Sequence, residues 1–126
     1  RSIHVSSQTS MNKSLLATGF PYYDFSYQDR YLALLKELMR SSHGLRRMGA
    51  AAIDLAYTAC GRFEGFFEAN LKPRDVAAGK IIIEEAGGRV TNFNGGDAVI
   101  FEGEIIGAGP IFEEFLGTLQ SKWFVD

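Results

Sequence analysis

The stretch that decides the fold is residues 72–88, which read KPRDVAAGKIIIEEAGG. Proline fits the first turn of a helix, because the N–H that it lacks would have no helical partner there. An acidic residue in that turn, here Asp75, is favoured by the positive end of the helix dipole. Apolar residues continue to Ala86, and Gly87-Gly88 ends the helix. The pattern predicts a helix that is apolar on most of its circumference and is therefore buried on several sides.

Two interpretations of Asp75 follow from this pattern, and both stay open. In the first, its carboxylate does no more than stabilise the start of the helix. In the second, the small residues 77–79 let the helix start press into the protein, which points Asp75 into a crevice with Lys72 nearby. A carboxylate in such a place could bind a hard cation such as Mg²⁺ through oxygen.

Helices and strands alternate on both sides of this stretch. Apolar residues at i, i+3, i+4 and i+7 predict an amphipathic helix over residues 28–41 that Gly44 ends. A second helix is predicted over about residues 50–59, closed by Gly61, and a last one follows Pro110 with a single apolar stripe. Strands are predicted at residues 15–18, 63–68, 89–91, 99–101 and 105–107. The alternation predicts an α/β fold, a layered domain with a mixed β-sheet flanked by helices.

The composition narrows the class of protein. The 126 residues suffice for one domain, and 46% hydrophobic and 13% aromatic residues are typical of a globular chain. A net charge of -2 provides no clustered positive face for nucleic acid, and no segment is apolar for long enough to span a membrane. A single cysteine, Cys60, excludes an internal disulfide and fits a reducing compartment. We expect a cytoplasmic protein, with Cys60 buried in packing and His4 and His43 in surface loops.

The order of the motifs resembles that of a known family. Residues 75–79 (DVAAG), followed by residues 85–88 (EAGG), resemble the second signature of the inositol monophosphatase family, Trp-Asp-x-Ala-(Ala/Gly)-(Gly/Ala) with an acid-Ala-Gly-Gly helix end. Residues 45–52, LRRMGAAA, resemble its Arg-x-x-Gly-(Ser/Thr)-Ala-Ala segment. The resemblance runs from about residue 15 to about residue 119. Two positions depart from the pattern, since Arg74 replaces the family's tryptophan and Ala50 replaces a hydroxyl residue.

The resemblance implies a Mg²⁺-dependent phosphatase of inositol or sugar monophosphates and gives each matching position a role. Asp75 would ligate the metal, and Glu68 would accept hydrogen bonds from substrate hydroxyls. Arg46 would line the substrate side, and Lys72 would place a cation near the site. The remaining implied substrate-binding residues, which would offer backbone groups and close approach to the ring, are Gly49, Ala50 and Ala51.

The same resemblance implies that this chain is the carboxy-terminal half of such an enzyme. The family carries its other metal ligands in an amino-terminal half, in a Glu-Glu pair and an Asp-Pro-x-Asp-Gly-Thr segment, and this sequence has neither in a suitable place. Its own adjacent acids, Glu84-Glu85 and Glu113-Glu114, are predicted within helices, where neighbours diverge by about 100°. We expect them to be solvated or ion-paired. No residue of this half is a certain catalytic group.

Other interpretations remain open. A homodimer is expected from the family, with the aromatic residues 20–27 as a candidate contact. Fructose bisphosphatase and a phosphatase of adenosine 3',5'-bisphosphate are alternatives within the enzymes. A different class is a non-catalytic binding or assembly module that retains the fold.

Overall fold

The structure, a computed structural model, describes residues 3–18, 28–46, 57–69, 73–96 and 104–124; for residue 28 and residues 73–76 it describes the backbone alone. The chain begins with an extended segment that leads into a 3-10 turn. The described helices and strands, in chain order, are β1 (Leu15–Thr18), α1 (Gln28–Ser41), β2 (Gly44–Arg46), β3 (Gly65–Glu68), α2 (Pro73–Glu85), β4 (Arg89–Thr91), β5 (Ile105–Ala108) and α3 (Phe112–Trp123).

These strands form one mixed five-stranded sheet in the order β2-β1-β3-β5-β4. Strands β2 and β3 both pair with β1 in parallel, and β5 pairs with both β3 and β4 in antiparallel. The predicted layered α/β fold with a mixed sheet is therefore confirmed.

One face of the sheet is covered by α1 and α3, which also pack on each other. The helical periodicity places Tyr31, Leu34 and Leu38 of α1 in this layer, and all three are buried. Because side chains alternate along a strand, Leu16 and Phe67 reach the same layer from β1 and β3. The amphipathic helices predicted over residues 28–41 and after Pro110 are confirmed.

The other face of the sheet carries a second cluster. Ala17 and Phe66, the strand neighbours of Leu16 and Phe67, point to this side. They pack with Ile83 of α2, with Ala86 in the turn that follows this helix, and with Ala59 from the helical residues 57–59. The predicted helix over residues 50–59 is described only at this end, and it finishes before Gly61, whose φ of 84° suits glycine.

The structure differs from the sequence-based expectations at several places. Strand β2 was not expected, since Gly44 starts a strand where it was predicted only to end a helix. Strand β3 begins at Gly65, two residues later than predicted. Cys60 is exposed, so its expected burial is wrong. The aromatic residues 20–27 and the strand predicted at residues 99–101 lie outside the described residues.

A substitution at Gly65 tests how tightly α3 packs on the central strand β3. A Cβ at this position would lie 2.7 Å from Cε2 of the buried Phe115 ring. We expect Gly65→Ala to destabilise the protein by about 1–3 kcal/mol, the usual cost of overpacking a core. A Cβ at Gly117, within α3, meets nothing within 4 Å. Gly117→Ala is therefore expected to be neutral or stabilising by up to about 1 kcal/mol. Urea denaturation of both variants checks the pair, and equal losses would contradict the tight packing.

Candidate functional site

The three parallel strands end at one edge of the sheet and place three polar residues there. These residues are Thr18 on β1, Arg46 on β2 and Glu68 on β3. The register fixes their relative positions, because Ala17 lies opposite Arg46 and Thr18 lies opposite Phe67. Since β1 lies between the other two strands, the backbones of Arg46 and Glu68 are separated by on the order of 10 Å, or two strand spacings. Ligands of open α/β sheets bind at this carboxyl end of the strands.

Helix α2 begins only a few residues after this edge in the sequence. It starts at Pro73, and only four residues separate it from Glu68 at the end of β3. Asp75 lies in its first turn, where the dipole favours a negative charge. Further along, Gly79 is buried while Ala78 is exposed, so only part of the small-residue run faces the protein. The backbone of Asp75 is thus placed one short connection from Glu68, and its side chain lies outside the described part.

Glu68 has a half-buried side chain at the end of the central strand. Its Oε2 atom is shielded from solvent. Two buried hydroxyls lie on the neighbouring elements, where Thr18 Oγ1 and Tyr31 Oη are 3.2 Å apart in a hydrogen bond. The Tyr31 ring also contacts Phe67, with centroids 6.2 Å apart. The edge of the sheet near Glu68 is therefore held by α1 as well as by the strands.

Burial raises the pKa of the Tyr31 phenol to about 12. The hydrogen bond with Thr18 opposes this rise in pKa, and the negative charge of Glu68 adds to it. The phenol is consequently neutral at physiological pH. It can act there as a hydrogen-bond donor but not as a base.

The remaining predicted site residues divide into two groups. Arg46 is exposed, and its Nη1 donates to the carbonyl of Leu45 at 3.0 Å. It ends β2 at the carboxyl edge, with its guanidinium at the surface. The residues that fall outside the described ranges are Gly49, Ala50, Ala51 and Lys72.

A complete cation site is not formed by the described part of the chain. Within those ranges, no group of three or more His, Cys, Asp or Glu side chains is placed to hold a metal ion. The adjacent acids behave as expected, since Glu84 pairs with Lys80 at 2.6 Å and Glu113 pairs with Arg89. The described part of the chain therefore does not fit a Mg²⁺ ion by itself, and further carboxylates would be required to bind one.

Thr18 and Tyr31 were not predicted as site residues. Tyr31 belongs to the apolar stripe of α1, so the sequence indicates a core position for it. The two residues are 13 positions apart in the sequence, so no local motif indicates their contact. Only the packing of α1 across the end of β1 brings them together.

A groove of about 550 Å³ lies at the opposite end of the sheet. Arg89, which begins β4, and Gly109, which follows β5, both line it. Val5 also lines it, and its N–H donates to the carbonyl of Ala86 at 3.0 Å. None of the predicted site residues lines this groove, so it is separate from the carboxyl edge.

The fold is that of an α/β protein whose three parallel strands place polar residues at their carboxyl ends, the end at which open α/β sheets bind ligands. The chain belongs to the inositol monophosphatase family, whose sequence model matches residues 1–123. This confirms the resemblance that was based on residues 45–52 and 75–88.

Relatives in sequence and structure agree with this assignment. A Neisseria meningitidis protein is 50% identical over 110 residues, which are 87% of this chain and 42% of that protein. Nus factor SuhB of Escherichia coli is 41% identical over 118 residues, which are 93% of this chain and 44% of that protein. The structure of inositol monophosphatase from Anabaena has a TM-score of 0.83 at 38% identity, over 95% of this chain and 48% of that one. This chain therefore spans less than half the length of these relatives.

In the described ranges, no helix is both long and apolar enough to cross a bilayer.

The raised pKa of Tyr31 predicts a loss of stability at alkaline pH. Because the phenol is harder to ionise in the folded state, it contributes to stability at pH values below 10.0, its pKa in the unfolded chain. This contribution is lost as the pH rises towards about 12, the pKa in the folded state. Denaturation across this range should show an extra decline of about 1–3 kcal/mol in the free energy of unfolding. Tyr31→Phe has no phenol to ionise, so its decline should be correspondingly shallower. Identical pH profiles for the two proteins would contradict the burial of the hydroxyl.

Proposed function

We propose that the chain is the carboxy-terminal half of a Mg²⁺-dependent phosphatase that hydrolyses inositol or sugar monophosphates. Family membership supports the reaction class. The observation that carries the proposal is the carboxyl edge, where Arg46 and Glu68 end the two parallel strands on either side of β1, and Asp75 lies in the first turn of the next helix. The proposed site uses a cation for phosphate, an acceptor for hydroxyls and a carboxylate suited to a hard cation.

Each residue of the proposed site has a distinct task. Glu68 accepts hydrogen bonds from the hydroxyls of the sugar or inositol ring, and its half-buried position limits the directions in which it can do so. Arg46 and Lys72 attract the phosphate. The small residues at the start of the second predicted helix allow the ring to approach the backbone; they are Gly49, Ala50 and Ala51.

Asp75 is the residue that we assign to the metal. One carboxylate cannot hold the two or three divalent ions of this chemistry, so the remaining ligands are proposed to come from an amino-terminal half of the same polypeptide. When bound, Mg²⁺ would supply activation of the attacking water and stabilisation of the leaving oxygen. The contribution of this chain is to orient the substrate ring and to offer one carboxylate at a helix start.

The first test compares this chain with the complete gene product that contains it. The 126 residues alone should hydrolyse inositol phosphate with Mg²⁺ at no more than the background rate, because the other metal ligands are missing. The complete product should be active, and addition of EDTA should abolish that activity. Rapid turnover by the 126-residue chain would overturn the proposed division of ligands.

The second test removes the proposed metal ligand in the complete product. Asp75→Asn should lower kcat/KM roughly 100-fold or more, because a neutral amide is a poor ligand for Mg²⁺. The matched control is Glu84→Gln on the same helix, whose partially exposed ion pair with Lys80 contributes little to stability. Equal activity of the two variants would remove Asp75 from the site.

The third test concerns the ring-binding role of Glu68. In the complete product, Glu68→Gln keeps the size of the side chain but weakens its hydrogen bonds to substrate hydroxyls. We expect KM to rise roughly 10-fold, with a smaller change in kcat. An unchanged KM for a hydroxyl-rich substrate would exclude this role.

A second candidate function is a non-catalytic assembly role in a complex. The observation that favours it is the naming of a 41% identical relative, SuhB of Escherichia coli, as a Nus factor. Under this alternative, Asp75→Asn would leave complex formation and the biological role of the complete protein intact. A proposed homodimer in the cytoplasm is compatible with both functions, and the molecular mass of the complete protein in solution tests the dimer.

A further inference from the structure

A cleft of about 340 Å³ lies where the outer sides of α1 and α3 meet, on the face of the sheet opposite to α2. We call it the basic cleft. It is lined by Ala33, Lys36, Glu37, Arg40 and Lys122. The residues of α1 that pack on the sheet, such as Leu34 and Leu38, lie on the other side of the helix. The cleft therefore opens away from the sheet.

The charges that line the basic cleft do not cancel. Three of its side chains are cationic and one is anionic, so the cleft carries two excess positive charges, although the net charge of the whole chain is -2. The anionic side chain, Glu37, pairs with Arg40 at 2.8 Å. Lys36 and Lys122 have no ion-pair partner among the described residues. Because like charges around one cleft repel each other, an anion placed between them is attracted by both ammonium groups and relieves the repulsion.

Exposed apolar side chains lie beside these cations. Leu32 and Met39 stand four residues before and three residues after Lys36, which places both of them next to it on the surface of α1. Leu32 is 53% exposed and Met39 is 63% exposed. Methionine adapts its shape to different apolar partners. The outer side of α1 therefore suits a partner that has both acidic and apolar side chains, rather than a small inorganic anion.

The spacing of the cations fits a helical partner. Lys36 and Arg40 are one helical turn apart, so their Cβ atoms are separated by about 5–6 Å. Carboxylates at positions i and i+4 of a partner helix have the same spacing, and such a helix can lie in the groove between two packed helices. Two excess charges do not provide the clustered positive face that nucleic acid needs. The nearest other charges on α1, Asp29 and Arg30, are of opposite sign and offset each other.

We infer that the basic cleft is a docking site for an acidic amphipathic helix of a partner protein. Carboxylates of that helix pair with Lys36 and Lys122, and its apolar side chains cover Leu32 and Met39. The inference goes beyond the proposed function, since it needs neither the metal ligand nor the residues that contact the substrate ring.

A peptide titration of the complete gene product tests the inference. The probe is a fluorescein-labelled helical peptide with glutamates at i and i+4 and leucines beside them, and fluorescence anisotropy measures its Kd. We expect saturable binding at low ionic strength and a Kd roughly 10-fold or more higher in about 1 M NaCl, where the Debye length falls to about 3 Å. A control peptide with glutamine in place of each glutamate should bind roughly 10-fold more weakly or not at all. Equal binding of the two peptides, or no saturable binding of the acidic one, would overturn the inference.

A pair of charge reversals locates the binding site. Lys36→Glu should raise the Kd of the acidic peptide roughly 10-fold or more, because it places a negative charge in the cleft. The matched control is Arg62→Glu, which changes the net charge equally but lies away from the cleft, where its guanidinium stacks over the Tyr57 ring at 5.0 Å. This control should change the Kd less than about 2-fold. Equal effects of the two reversals would mean that net charge alone attracts the peptide, and would reject the cleft.

A charge exchange distinguishes direct contact from a general loss of structure. The double variant Lys36→Glu with Lys122→Glu should bind a peptide that has lysine in place of each glutamate, which the unaltered protein should not bind. Misfolding does not create such a gain of binding. Failure of the double variant to bind the lysine peptide would contradict direct contact between the cleft and the acidic side chains.

Other occupants of the cleft give different results. If single-stranded oligothymidylate displaces the acidic peptide and binds more tightly than it, nucleic acid is the occupant and the inference is wrong. If Lys36→Glu converts a dimer of the complete protein to a monomer, the occupant is a second copy, and the inference is equally wrong.

Hydrolysis of inositol phosphate by the same samples separates this inference from the proposed function. An inactive protein that binds the acidic peptide would retain the docking site and reject the phosphatase. An active protein that does not bind the peptide would retain the phosphatase and reject the docking site.

Discussion

The central strand β3 is the constraint on which the rest of the structure depends. Its two adjacent phenylalanines point to opposite faces of the sheet, so Phe67 anchors the layer of α1 and α3 while Phe66 anchors the layer of α2. A shift of one residue in its register would exchange the two rings and would turn Glu68 to the other face. The pairing of Phe67 with Thr18 on one side and with Ile106 on the other opposes such a shift. The packing of both layers and the direction of the proposed site residue are therefore fixed together.

The elements that the sequence predicted well are those whose pattern is local. The stripes of α1 and α3 each face one cluster, so helical periodicity was sufficient to find them. Strand β2 has three residues and no alternation of apolar and polar side chains. It is a strand only because its backbone pairs with β1. Cys60 follows the last helical residue, in the turn with Gly61, so the burial expected for a helix interior does not apply to it.

The candidate site was predictable to the extent that it depends on motif spacing. Glu68 and Asp75 were assigned through the family signature, and the parallel strands place Arg46 and Glu68 at one edge. The contact of Tyr31 with Thr18 depends on how α1 is rotated about its own axis over the sheet. Helical periodicity identifies the apolar face of α1 but does not fix this rotation. Ile81 and Ile82 of α2 differ again, because their apolar run predicted burial and yet both side chains are exposed in the described part of the chain.

The outermost strands of the described sheet also affect how this protein behaves at high concentration. Strands β2 and β4 each have three residues, and each carries an exposed arginine, Arg46 and Arg89. Long, flat and apolar strand edges recruit strands from neighbouring molecules and lead to aggregation. Short borders that carry charged side chains leave few backbone groups to pair and disfavour apolar contact between identical copies. The same arginine that faces the proposed phosphate can therefore also help to keep crowded molecules from joining edge to edge.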